Sequence, residues 1–439
     1  MTGTAPAARR LVCAGCGWTA PDAGILPYPF RCPNAGTDDV DHVVTRTLDA
    51  AHDAAAEHDD PNPFVRHREL FTAWHTARAS GMSDAEYVEL VRALDRRVAA
   101  VDGRGFHVTP FSIAPTLGER LGLEIWVKNE TGNVSGSHKS RHLMGILLYL
   151  AVVERGEKPP LAIASCGNAA LAAAVLARAV ARELLVFVPP HAESAVLARL
   201  HELGADVVPC PRVPGQQGDP CVHHFHEALH AGALPFCVQG NENGLTIEGG
   251  ETLVEEMLAA GAPAFDHVVV QVGGGALASS CMQAFARAAR DGRIARMPRL
   301  HTVQTEGAWP LRRAWRLWQE HQRRTGTSRE EALRYAGAHR SEFMRPWEEE
   351  PTSIAEGILD DETYDWLAVL RGMAESGGVP VVADEATLKE AHDLAREHTG
   401  IAVSHTGSAG LAGVLQLQRD GVIKAGERVA VIFSGVERS

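Results

Sequence analysis

The chain has 439 residues, room for about three domain-sized units or for one large α/β core with extensions. A composition of 45% hydrophobic, 22% charged and 6% aromatic residues excludes a disordered or fibrous protein. The formal net charge of −13 repels phosphate backbones and argues against nucleic acid as a partner.

In chain order, Met1–Gly17 carries no apolar run, so no signal peptide is expected. Residues 1–45 are predicted to form a separate cysteine-bearing cap. Cys13-Ala-Gly-Cys16 sits on a short turn, and Cys32 follows 16 residues after Cys16, which makes half of a zinc-ribbon pattern. Ala35 stands where a fourth cysteine would complete the second knuckle. His42 or an aspartate would then have to supply the fourth zinc ligand; the alternative is a small cap of reduced cysteines. The chain's remaining cysteines are scattered singly through apolar segments, the usage of a reducing compartment, so the cytoplasm is the expected location.

Residues 46–105 read as a helical extension. Phe64, Leu70, Phe71 and Trp74 recur at helical spacing after Pro63, and Ser83-Asp-Ala-Glu86 forms a capping-box pattern ahead of Tyr87, Leu90, Val91 and Leu94. From 106 to 439, strands and helices alternate, the signature of α/β layers. Strands are predicted at Glu124–Val127, Leu161–Ala164, Leu184–Val188, Ala205–Val208, His267–Val272 and Arg428–Phe433, with helices at Ser140–Glu154, Ala169–Arg182 and Ser279–Ala289. The most apolar stretch, Leu161–Ala181, is broken by Gly167, Asn168 and Arg178, so no membrane span is expected. Residues 308–350 interrupt the alternation; their charges alternate in sign, which predicts a solvated surface helix rather than a lid or subunit contact. The arginines there, from Arg312 to Arg324, are balanced by Glu320, Glu330 and Glu331. His223, His226 and His230 share a helical face after Cys221, but no carboxylate or second cysteine is placed to finish a metal shell.

Three turns concentrate chemistry. Lys139 lies in a polar loop, Gly132-Asn-Val-Ser-Gly-Ser-His138-Lys139, just ahead of a helix. A partly desolvated amine at the positive end of a helix dipole is available as a nucleophile. Ser165-Cys166-Gly167-Asn168-Ala169 joins a strand to a helix and so presents backbone N–H groups to an anion such as a carboxylate. Gly273-Gly274-Gly275-Ala276-Leu277 follows a strand and opens a helix, which lets the backbone approach a phosphate closely. A dinucleotide fingerprint would need its third glycine at Ala278.

These turns, with Thr352–Gly357 and Val431-Ile-Phe-Ser434-Gly435, resemble in order and spacing the pyridoxal-phosphate enzymes of the tryptophan synthase β family, or fold type II. Threonine synthases and serine/threonine dehydratases are the most similar branches. The resemblance implies a two-domain α/β enzyme, with the smaller subdomain at about 140–240, and a homodimer. It implies that Lys139 carries pyridoxal 5′-phosphate as an imine and later acts as the base at the substrate α-carbon. His138 would lie near the phosphate, which Gly273, Gly274, Gly275, Ala276 and Leu277 would hold. Asn168 would bond the pyridoxal O3′, Ser165, Cys166, Gly167, Asn168 and Ala169 would bind the substrate carboxylate, and Ser434 would face the ring nitrogen. A hydroxyl there leaves that nitrogen largely neutral, which favours elimination and replacement on an amino acid with a β- or γ-leaving group. Threonine synthases tend to carry threonine at the Ser434 position, and the triple glycine is more dehydratase-like. After Gly400-Ile401, where both branches tend to place Glu-Pro, Ser404, His405 and Thr406 are expected to face the cofactor. Two other readings are an NAD-dependent oxidoreductase using Gly273–Gly275, with Asp291 18 positions on as its acidic residue, and a non-catalytic binding protein that keeps the fold.

Overall fold

The computed structural model describes residues 10–47, 58–190, 192–212, 218–261 and 264–438. The first nine residues of the segment expected to carry no signal peptide, and the 48–57 part of the predicted helical extension, lie outside them.

The strands are β1 (Leu11–Cys13), β2 (Val44–Arg46), β3 (Phe111–Ile113), β4 (Glu124–Asn129), β5 (Leu161–Ala164), β6 (Leu184–Val188), β7 (Asp206–Pro209), β8 (Leu234–Pro235), β9 (His267–Gln271), β10 (Arg299–Thr305), β11 (Pro380–Ala383) and β12 (Arg428–Phe433). Strands β7-β6-β5-β8 form a parallel four-stranded sheet. A six-stranded sheet in the order β11-β10-β9-β12-β4-β3 is parallel except for β3. Near-continuous runs such as Leu-Leu-Val-Phe-Val in β6 and Arg-Val-Ala-Val-Ile-Phe in β12 fit strands covered on both faces by crossover helices. The fold is α/β. Ligands in such sheets bind beyond the carboxyl ends of the strands, where the winding reverses. Here β9 and β12 are neighbours, and their carboxyl ends carry Gly273 and Ser434.

The expected capping box at Ser83 and Glu86 opens a 19-residue helix, Asp84–Asp102. The segment from Phe64 to Trp74 is not one helix: it breaks into Pro63–Arg66, a 3-10 turn Arg68–Leu70 and Thr72–Ala79. Buried Arg68 causes the change of direction, donating to the Val65 carbonyl at 3.0 Å while its other nitrogens pair with Asp84.

The insertion corrects a second expectation. Its helix Pro310–Thr325 buries Leu311, Ala314, Trp315 and Trp318, an i, i+3, i+4, i+7 stripe. Only the opposite face is solvated, so the sign alternation described half of the helix. The stripe packs with Trp366 and Phe343 in one apolar cluster beside the six-stranded sheet. Among the described residues, no helix is long and apolar enough to cross a membrane.

Candidate active site

Four segments converge at the carboxyl edges of the sheets. The loop after β4 leads into the helix Lys139–Val153, and the turn after β5 into the helix Asn168–Ala179. The glycine turn after β9 opens the helix Ala276–Arg290, and β12 ends at Ser434.

Residues 132–138 are stitched to the chain's last residues. Val436 N–H donates to the Gly136 carbonyl at 2.9 Å, and Arg438 donates to the Ser135 carbonyl at 2.8 Å. His138 N–H donates to Ser434 Oγ at 3.0 Å, and the His138 ring Nδ1 meets the same hydroxyl. Ser135 takes a left-handed φ of 54°, held by its N–H on Asp102 at 3.1 Å. His138 was expected near the cofactor phosphate; the structure places it on Ser434, the residue expected at the opposite, ring-nitrogen end.

Lys139 is the first residue of its helix and is half-buried. Burial holds its amine below the ordinary lysine value, against the pull of Asp360 and Asp365. Burial, and the nearby Lys139, keep His138 and His142 neutral, with His142 pushed down to about 3. Two residues on, Arg141 anchors the helix through a buried ionic cluster. Its guanidinium bonds Glu130 at 2.8 and 3.0 Å and Glu256 at 2.6 and 3.0 Å, and Lys128 also pairs with Glu256. Glu130 is held at about 2: burial raises it, and Arg141 and Lys128 more than offset that.

The glycine turn is covered on its Cα side by residues 358–365. A Cβ on Gly273 would stand 2.2 Å from Asp360 Oδ2, one on Gly274 2.8 Å from the Tyr364 ring, and one on Gly275 2.9 Å from Thr363 Cγ2. The glycines are therefore required by a neighbouring segment of this chain, a reason that the motif alone does not reveal. The Asp360 carboxylate lies against Gly273 and Gly274, and Gly240 N–H donates to Asp365 at 3.2 Å. Among the described residues neither acid has a cation in contact: burial pushes Asp360 up to about 6 despite Lys139, and Asp365 up to about 7. Ala276 and Leu277 are buried at the helix start.

In the Ser165–Ala169 turn, Gly167 N–H reaches Ser165 Oγ at 3.4 Å, Cys166 is exposed and Ala169 is buried. Asn168 faces Gly435, where a Cβ would lie 2.9 Å from its amide nitrogen, and its Oδ1 accepts Arg438 Nη1 at 2.6 Å. Of the three polar residues after Val403, Ser404 caps the helix His405–Arg419 beside Gly435, and Thr406 Oγ1 accepts Gly357 N–H at 3.0 Å. His405 differs from expectation: it stacks on His392 at 3.8 Å between ring centres.

The sequence of residues 104–435 matches the family described as "Pyridoxal-phosphate dependent enzyme". The chain belongs to that family. It is 23% identical over 334 residues to threonine synthase of Bacillus sp. (strain ULM1), covering 74% of this chain and 82% of that protein. It is 28% identical over 197 residues to the biosynthetic L-threonine dehydratase of Haemophilus influenzae, covering 45% of this chain and 36% of that protein. Among solved structures, the processed form of threonine deaminase isoform 2 from Solanum lycopersicum superposes with a TM-score of 0.58 at 17% identity, covering 81% of this chain and 91% of that one. Diaminopropionate ammonia lyase of Escherichia coli gives 0.57 at 14%, covering 80% and 88%.

A pyridoxal-phosphate enzyme needs an uncharged amine for the aldehyde and an anion site for the phosphate. The residues present fit both: burial holds the Lys139 amine below its ordinary value, and the glycine turn opens the helix Ala276–Arg290, whose first N–H groups suit an anion. Asp360, Asp365 and Arg438 went unnoticed in the sequence. Asp360 opens an acidic run, Asp360-Asp361-Glu362, that by itself resembles solvated surface, and Asp365 follows three residues after it. Cys13, Cys16 and Cys32 lie together in the N-terminal cap, and His42 joins them.

Proposed function

We propose that this enzyme is a lyase that eliminates a hydroxyl or amino group from the β-carbon of a small α-amino acid, with Lys139 as base and Asp360 as acid. The observation that carries this reading is the pairing of an amine lowered by burial with a carboxyl raised by burial to about 6. Environments that push two titrating groups in opposite directions assign one to accept a proton and the other to give one. Lys139 takes the α-proton; the bond from the β-carbon to the leaving group breaks; Asp360 gives that group its proton, so that water or ammonia departs. The released enamine is hydrolysed to a 2-keto acid and ammonia.

Pyridoxal phosphate, when bound, supplies the sink for the electron pair left at the α-carbon. Its holding groups are proposed to be Lys139, the Gly273–Leu277 turn, Asn168 and Ser434, with His138 orienting Ser434. The substrate carboxylate falls to the Ser165–Ala169 turn. The Asp360 carboxyl covers the glycine turn, so a phosphate held there requires it to withdraw, and the field it shares with Lys139 supports its role as the acid. The relatives named threonine synthase favour a second reading, replacement on a phosphorylated substrate. A phosphate leaves without needing a proton, so a buried general acid favours the first.

The test incubates the cofactor-loaded enzyme separately with serine, threonine, 2,3-diaminopropionate and O-phosphohomoserine, and measures keto acid, ammonia, phosphate and threonine. Keto acid from one of the first three, lowered about 100-fold or more in Asp360→Asn, is the expected result. Threonine and phosphate from O-phosphohomoserine alone, unaffected by Asp360→Asn, would establish the second reading instead.

A further inference from the structure

We propose that Cys13, Cys16, Cys32 and His42 form a closed tetrahedral zinc site, and that this metal braces the segment covering the glycine turn. The four ligand atoms all lie within 4.8 Å of one another. With zinc–sulfur bonds of about 2.3 Å and zinc–nitrogen bonds of about 2.0 Å, a tetrahedron separates two sulfurs by about 3.8 Å and a sulfur from a nitrogen by about 3.5 Å. The Cys16 and Cys32 sulfurs stand 3.6 Å apart, and Cys13 Sγ stands 3.4 Å from His42 Nδ1.

The surroundings are those of a ligand set. His42 Nε2–H donates to Asp38 Oδ1 at 2.9 Å, which fixes the tautomer and leaves the Nδ1 lone pair aimed at the sulfurs. Asn34 Nδ2 donates to Cys16 Sγ at 3.5 Å, as an amide does toward a thiolate. Cys13, Cys32 and His42 are buried while Cys16 is exposed, so the metal has a route in. Four protein ligands leave no open position, which makes the site structural rather than catalytic.

Two of the ligands, Cys32 and His42, come from stretches that hold different parts of the active-site wall. Next to Cys32, the Phe30 carbonyl accepts Gly244 N–H at 3.1 Å, and Arg31 pairs with Glu242 at 3.6 Å. Next to His42, Asp41 N–H donates to the Gly337 carbonyl at 2.7 Å, and the Asp41 carboxylate accepts Trp366 Nε1 at 3.0 Å. Trp366 follows Asp365, whose backbone N–H donates to the Gly274 carbonyl at 3.1 Å and whose carboxylate holds Gly240 N–H. A metal joining Cys32 to His42 thus ties the 240–244 loop to the 360–366 segment across the glycine turn. This does not depend on the reaction proposed above.

The experiment uses the full-length chain purified under reducing conditions from zinc-supplemented medium. Elemental analysis is expected to find one zinc per chain, lost in Cys32→Ser and in His42→Ala but kept in Cys166→Ser. Cobalt(II) replacement is expected to give the strong visible bands and near-ultraviolet sulfur-to-metal band of a tetrahedral thiolate site. Metal removal is expected to speed amide hydrogen exchange in 358–366 and 337–341 at least tenfold. Sub-stoichiometric zinc with three freely titrating N-terminal thiols, a weak octahedral cobalt spectrum, or retention of zinc in Cys32→Ser would overturn the site. Stoichiometric zinc whose removal leaves exchange unchanged would overturn the brace. If the ligand variants do not fold, the wild-type cobalt spectrum and zinc release by a mercurial decide. Cofactor content, read by absorbance on the same samples, separates this outcome from failure of the proposed reaction.

Discussion

The chain buries charge beside its candidate nucleophile in two contrasting ways. Around Arg141 every charge is paired: Glu130, Glu256 and Lys128 surround the guanidinium, and despite burial the two carboxyls are held below and the guanidinium above their ordinary values. Around the glycine turn, Asp365 holds the Gly240 N–H and Asp360 lies against Gly273, with no cation in contact with either among the described residues, and burial drives both toward the neutral form. Paired charges make a rigid support because neither partner gains by changing state. Unpaired acids are poised to exchange protons, which is what a reaction needs. Lys139 lies between the two, two residues from the support and within the field of both acids.

The most severe way to break this contrast is to remove the group that it serves. Lys139→Ala is expected to abolish the visible absorbance of the lysine-bound cofactor and to lower turnover by about 10⁴-fold, while the melting temperature of the cofactor-free protein stays nearly constant. Retention of the band would show that another amine carries the aldehyde.

Next comes the support itself. Arg141→Met leaves Glu130 and Glu256 buried with Lys128 alone for company, and is expected to cost about 3–5 kcal/mol in urea unfolding. Adding Glu130→Gln and Glu256→Gln should recover part of that loss, because the penalty lies in the orphaned charges. A loss below about 1 kcal/mol would mean that the cluster is not the anchor of the Lys139 turn.

Acidity should separate the two regions by sign. Asp360 and Asp365 bind protons more tightly in the fold than in the unfolded chain, so their contribution is complete below about pH 4 and is lost as pH rises to about 7. Glu130 is shifted the other way: its contribution is complete above its ordinary value of 4.5 and is lost as pH falls through about 2. Asp360→Asn with Asp365→Asn is expected to flatten the loss between pH 4 and 7, roughly 3 kcal/mol once Asp360 is discounted for its partial exposure. Chemical denaturation of the cofactor-free chain at a series of pH values reads both limbs. An unchanged slope in the double variant would remove the basis for calling these acids unpaired.

How much of this was legible in the sequence follows from the range of the contacts. The Lys139 loop, the Ser165–Ala169 turn and the triple glycine are each contiguous, and strand-to-helix turns carry their chemistry in adjacent residues. Strands β5, β6 and β12 were readable to the residue because they are short apolar runs between polar turns. Strand β10 was not, since its sequence Arg-Leu-His-Thr-Val-Gln-Thr buries His301 and Thr302 as well as Leu300. The ion pairs of the Arg141 cluster join residues up to 128 positions apart, and no local pattern marks Glu256 as its partner. Asp360 drew no reading from its sequence, because only the fold lays its segment across Gly273, and the alternating charges of 308–350 outweighed the apolar stripe that holds Trp315 and Trp318.

The smallest expected effect tests whether pairing or hydrogen bonding does more within the support. Thr109 Oγ touches Glu130, Glu256 and Arg141 at once, yet its removal leaves every charge with its counter-charge. Thr109→Val keeps the shape and deletes only the hydroxyl, so the two carboxylates lose the single proton they share and Arg141 loses one acceptor, while both carboxylates keep the guanidinium and Glu256 keeps the ammonium. A hydrogen bond to a charged group contributes about 1.5–3 kcal/mol, but the remaining donors at Arg141 and Lys128 can tighten, so a loss near 1 kcal/mol is expected in urea unfolding. A loss as large as that of Arg141→Met would mean that the hydroxyl, rather than the opposite charges, orders the cluster. The contrast with the glycine turn would then rest on hydrogen-bond count instead of on pairing.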